Sequence, residues 1–225
     1  MSAVPDSIGR PVRVDFVSDV VCPWCAIGLA SLLTAAERIE GLQLDLHFQP
    51  FELDPDLAPG GEDLQQRLMR KYGMSAEQYR ANSEAIRARG AELGFVFDLD
   101  KRTRSFNTFD AHRLLHWAGE RDDAQAQLRL KQALLTAYFT EGRDVSDHAV
   151  LAEIVAQAGL PADEARAVLG SDRYAQAVRQ DEAHWRHAGI SAVPSLVFNQ
   201  QHLLQGGQPV DTFEQALRQL SGIVG

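Results

Sequence analysis

The two cysteines of this 225-residue chain, Cys22 and Cys25, stand three positions apart in "DVVCPWCAIG", residues 19–28. Placed so closely, they can serve as a structural staple, as half of a metal site, or as a redox pair. A disulfide across so short a loop removes little chain entropy, and a chain this long can bury a sizeable core without one. Zinc takes four ligands, and Cys22 and Cys25 have no second CxxC and no finger-spaced histidine pair to join them. His184 and His187 are candidates to complete such a site, but their spacing equally fits two solvent-side histidines on a polar helix face.

The redox reading follows from position. If Cys22 opens a helix, unpaired N–H groups and the helix dipole favour its thiolate, the form that attacks a disulfide. Cys22, nearer the helix start and expected to be the more exposed, is then the attacking thiol, and Cys25, one turn deeper, resolves the mixed disulfide. Trp24, between them, is expected to be an exposed apolar contact beside the sulfurs.

The neighbouring elements agree with that placement. Val12, Val14 and Phe16 alternate with Arg13 and Asp15 as in a strand. From Pro23, tolerated in a first helical turn, Leu29, Leu32, Leu33 and Ala36 repeat at helical spacing, with Gly41 as the stop. "LQLDLHF" (42–48) reads as a second strand, so the first fifty residues form a βαβ unit with parallel strands.

Residues 61–188 read as almost entirely helical, with a capping box at Ser75 and Gln78 and apolar stripes at 130–138 and 151–158; "FVFDL" (95–99) is a candidate extended stretch. "SLVFN" (195–199) and "HLLQ" (202–205) are close enough to pair as a hairpin, and a last helix is expected near Asp211 with Glu214 in its cap. The expected organisation is a discontinuous α/β domain, 12–60 and 189–221, interrupted by a helical insertion at 61–188.

Net charge is −9, with basic residues scattered among acidic ones, which argues against nucleic acid or an anionic membrane as partner. The first residues carry no basic-then-apolar targeting pattern and no stretch is long enough to span a bilayer, so a cytoplasmic protein is expected.

"CPWC" after a first strand, "AVPSLVF" (192–198) leading into a hairpin and a terminal helix resemble the DsbA-like thioredoxin-fold oxidoreductases. "PFELDP" (50–55), "NTFDAHRLLHWA" (107–118), "AYFTEGRDVSD" (137–147) and "GGQP" (206–209) resemble the FrnE-type branch, related to 2-hydroxychromene-2-carboxylate isomerases and kappa-class glutathione transferases. The resemblance runs from about residue 12 to 221 and implies a thioredoxin-like α/β fold with a large all-helical insertion. It also implies that Pro194 is cis and faces the cysteine pair, presenting the backbone of Val193 to an extended substrate segment.

The expected activity is therefore thiol–disulfide exchange or isomerisation on a protein or small-molecule substrate bearing a thiol or disulfide. No tightly bound cofactor is expected; glutathione is a candidate co-substrate and a homodimer a candidate assembly. Two rivals stand beside it: a glutathione-dependent isomerase or transferase acting on a small aromatic compound, and a redox-regulated holdase. The isomerase and transferase relatives generally carry serine in place of the first cysteine, whereas this chain keeps both. Periplasmic DsbA-type relatives have histidine where Trp24 stands, so Cys22 should be less activated and the pair less oxidising than the about −120 mV of DsbA.

Asp19 is a candidate proton relay for Cys25, or a turn residue bonding local backbone. Asn107 and His112 are candidate substrate contacts, with Asn107 as a helix cap and His112 as a solvated histidine the plainer alternatives. Arg113 either faces the site or pairs with Asp110.

Overall fold

The computed structural model describes residues 9–58 and 60–223. The N-terminal residues 1–8, over which the reading of the chain's start partly rests, lie outside that range. Strand β1 (Val12–Ser18) lies at the centre of a four-stranded sheet, pairing in parallel with β2 (Leu44–Pro50) and antiparallel with β5 (Ser195–Phe198), which pairs in turn with β6 (His202–Gln205). The strand material at the two ends of the chain thus forms one sheet. β1 is buried on both faces except at Arg13, as expected of a central strand covered by helices on both sides.

Helix α1 (Pro23–Glu37) connects β1 to β2 and packs on the terminal helix α9 (Val210–Ser221). Glycine allows a close approach here. A Cβ at Gly207 would stand 3.1 Å from the Trp24 carbonyl, so the loop after β6 lies against the first turn of α1 only because residue 207 has no side chain.

Between β2 and β5 run a two-residue bridge, β3 (Glu62–Asp63) with β4 (Arg104–Ser105), and seven helices among the described residues: α2 (Leu64–Tyr72), α3 (Ala76–Glu92), α4 (Phe109–Gly119), α5 (Ala126–Phe139), α6 (His148–Gln157), α7 (Ala162–Leu169) and α8 (Ala175–His187). The Ser75–Gln78 capping box that opens α3 is present in full. These helices do not build a separate core. Leu114, Leu130, Leu134 and Tyr138 belong to the same buried cluster as Phe16, Ile27 and Phe48 of the sheet and α1.

Several local expectations are corrected. β2 begins at Leu44, two residues later than the alternation suggested, and "FVFDL" is not a strand, because Phe95 and Phe97 turn inward and pack on Phe139. Helix α9 starts at Val210 behind Pro209 without a side-chain cap; Glu214 instead pairs with Arg218 and Arg38. No helix among the described residues is long and apolar enough to cross a membrane.

The end of α3 has an instructive glycine. A Cβ on Gly90 would collide with the Phe97 ring and stand 2.8 Å from the Phe95 carbonyl. Glycine inside a helix is ordinarily worth replacing by alanine, but here overpacking dominates, and Gly90→Ala should destabilise the chain by about 1–2 kcal/mol. Urea unfolding of the two proteins checks this.

Candidate active site

Cys22 is the N-cap of α1, with extended backbone (φ −88°, ψ 115°), and Pro23 occupies the first helical turn. No side chain caps this helix end. The Cys25 thiol and the backbone amides of Cys25 and Trp24 donate toward the Cys22 sulfur; together they hold its pKa below the ordinary thiol value, against burial and the charge of Asp19. Cys25 shifts the other way. Burial is the largest cause, and Cys22 adds to it both as hydrogen-bond partner and as neighbouring charge, pushing Cys25 well above an ordinary thiol. Both thiols are free.

The expected contrast in exposure is smaller than the sequence suggested. Cys22 is only 4% exposed and Cys25 fully buried. The Val193–Pro194 peptide is cis, and the Cys22 thiol lies 3.6 Å from the Val193 carbonyl. Together with the helix end, that segment covers the Cys22 sulfur. Trp24, 44% exposed, lies alongside.

Cys22, Trp24 and Val193 line one wall of a cleft of about 550 Å³. Leu64, Leu68 and Tyr72 of α2 and Tyr79 and Ile86 of α3 also line it, so the helical segment shares this space with the start of α1 and the loop before β5.

Behind the cysteines is a buried polar group. Asp19 is fully buried and accepts hydrogen bonds from the amides of Leu53 (2.7 Å) and Val21 (3.5 Å). His112 Nε2 lies 3.5 Å from Asp19 Oδ1. Burial pushes the Asp19 carboxyl up, but His112, the Leu53 amide and the charge of Lys131 outweigh it and hold the group below its ordinary value. Asp19 thus bonds the distant Leu53 amide more closely than its own turn, and its charge acts on Cys22.

Lys131 of α5 was not singled out from the sequence. It is fully buried, its ammonium has no hydrogen-bond partner among the described residues, and it lies over the Phe48 ring at 5.7 Å. Burial lowers its pKa, opposed by charge on Cys25, Asp19 and Cys22. The signal was present: Lys131 sits three, four and seven residues before Leu134, Leu135 and Tyr138, a cation on a buried apolar stripe.

Of the remaining candidates, His112 and Asn107 are not on the cleft wall. His112 is buried rather than solvated, because α4 turns it inward toward Asp19. Asn107 caps the approach to α4, its Oδ1 accepting from the Phe109 amide and its Nδ2 reaching the Pro55 carbonyl at 3.1 Å and Glu52 at 3.4 Å. Its amide is consumed in holding the loop after β2, which is why it does not face Cys22. Arg113 pairs with Asp110 at 2.7 Å and donates to the carbonyls of Val168 and Arg173, tying α4 to the end of α7 and the segment after it. His184 and His187 are exposed on α8.

The fold is shared with known proteins. A probable DsbA oxidoreductase from Streptomyces coelicolor is 35% identical, with 95% of this chain and 92% of that one covered, at a TM-score of 0.84. The cytosolic disulfide reductase DsbM from Pseudomonas aeruginosa, in a structure with GSH, shares the fold at 19% identity, 92% and 98% coverage and a TM-score of 0.60. A 2-hydroxychromene-2-carboxylate isomerase shares it at 14% identity, 95% and 100% coverage and a TM-score of 0.65. The family model of the DSBA-like thioredoxin domain matches residues 13–218, and with that match the chain belongs to the DSBA-like thioredoxin family.

Proposed function

We propose that this protein is a thiol–disulfide oxidoreductase working through Cys22 and Cys25. The Cys22 thiolate attacks a substrate disulfide, one substrate sulfur leaves as a thiolate, and a mixed disulfide forms. Cys25 then gives up its proton and attacks Cys22 Sγ, releasing the second substrate sulfur. The substrate is reduced by two electrons and the pair is left as a disulfide; run backwards, the same steps deliver a disulfide. The backbone of Val193 is the docking edge for an extended substrate, with Trp24 as its apolar neighbour.

The observation that carries this reading is the opposite perturbation of the two thiols by their geometry: Cys22 at an uncapped helix start, Cys25 buried one turn deeper and donating to it. Lys131 fits the second step: a cation near Cys25 favours the thiolate that must form. Equilibration of the pair in glutathione buffers tests the reading. With Trp24 in place of a cationic neighbour, the expected potential lies between about −180 and −270 mV. A pair that never forms a disulfide across that range contradicts it.

A second reading, a glutathione-dependent isomerase or transferase, is favoured by one feature: the cleft beside Cys22 has the size and apolar walls of a small-molecule site. In that case turnover does not need Cys25, and Cys25→Ser retains it.

A further inference from the structure

Arg102 lines the same cleft as Cys22. It is 8% exposed, and its guanidinium lies over the rings of Phe139 at 4.9 Å and Tyr138 at 5.6 Å. Among the described residues no carboxylate pairs with it, and its buried Nε has no hydrogen-bond partner. A desolvated Nε–H left unpaired is costly.

The other charges on the cleft do not compensate it. Asp54 is shared between Lys71 at 2.7 Å and Arg67 at 2.5 Å. Once Asp54 and Lys71 are paired, Arg102 leaves the cleft wall with an uncompensated positive charge in a chain whose net charge is −9. The rest of the wall is mostly apolar, so a charge-assisted hydrogen bond made there is weakly screened.

We propose that Arg102 is a specificity-determining residue that binds the carboxylate of a small thiol or disulfide while its sulfur meets Cys22. The proposal rests on the redox reading and names its substrate class: low-molecular-weight thiols carrying a carboxylate. With the protein oxidised, the thiolate attacks Cys22 Sγ, the Cys22–Cys25 bond breaks, and Cys25 leaves with the electron pair and takes up a proton. A second thiolate attacks the incoming sulfur and Cys22 leaves as the thiolate. Two small thiols become one disulfide, and the protein pair gains two electrons.

Stopped-flow reduction of the oxidised protein by 3-mercaptopropionate and by 2-mercaptoethanol, with rates expressed per thiolate, tests this. The carboxylate thiol should react about tenfold faster in the natural protein, the value of one charge-assisted contact in a partly open cleft. The ratio should fall toward one in Arg102→Met and recover in part in Arg102→Lys, which keeps the charge but not the planar fork. In the natural protein, S-methylglutathione, which has carboxylates but no thiol, should slow the anionic reagent, and this inhibition should be lost in Arg102→Met. Equal rates for the two thiols in the natural protein, or a preference that survives in Arg102→Met, overturns the proposal and leaves the redox reading standing. Failure of both thiols to reduce the pair overturns both.

Discussion

Cys25→Ser is expected to lose turnover of disulfide substrates by on the order of a hundredfold or more, the loss that follows when one member of a catalytic unit is removed. It should also accumulate a covalent adduct at Cys22. The reason is the division of labour between the sulfurs. Cys22 keeps the helix amides that favour its anion, so the first attack still proceeds, but serine cannot displace the captured sulfur. The serine hydroxyl can still donate toward Cys22, so capture should persist. Intact-mass spectrometry after incubation with oxidised glutathione should therefore show the adduct on this variant and not on the natural protein. Full turnover without an adduct would favour the isomerase or transferase reading.

Lys131→Met should change activity and stability in opposite directions. Removing the cation leaves the buried Cys25 thiol harder to ionise, so resolution should slow by about tenfold or more at neutral pH, with a steeper rise on the alkaline side. Single-turnover release of the second substrate thiol reads that step directly.

The fold should at the same time gain roughly 1–3 kcal/mol, because an ammonium with no hydrogen-bond partner is exchanged for an apolar chain of similar length. The sign follows from linkage. The pKa of Lys131 is lower folded than its ordinary 10.5, so between those values the unfolded chain binds more protons. The penalty is full below the folded pKa and is relieved as pH rises toward 10.5. The variant's advantage in denaturant titrations should thus be largest at neutral pH and shrink in alkali. A variant less stable at neutral pH would mean that Lys131 supports the fold more than it burdens it.

Where local rules apply, the sequence was sufficient. The alternation of Val12, Val14 and Phe16, the helical repeat after Pro23 and the spacing of the two hairpin strands located the elements that hold Cys22 at a helix start. The cis peptide at Pro194 came from the family resemblance, since no periodicity encodes a peptide isomer.

What the sequence left hidden depends on packing between distant segments. The inward turn of His112 and the company of Asp19 follow from how α4 and α5 lie against the sheet, and the burial of Cys22 from the Val193–Pro194 segment beside it; no local pattern specifies either. Lys131 left a faint trace as a charge on an apolar stripe. Arg102 left none: "DLDKRTRS" reads as an ordinary charged loop, and only folding brings one of its cations into the cleft of Cys22.

The claim on which the account depends is that this fold holds Cys22 as the thiolate of the pair. The pH dependence of alkylation at Cys22, followed residue by residue in the reduced protein by mass spectrometry, measures it directly. The account predicts a midpoint below the about 8.5 of a free cysteine, with Cys25 unreactive through the same range. A Cys22 midpoint at or above the free value, or Cys25 reacting first, would contradict it.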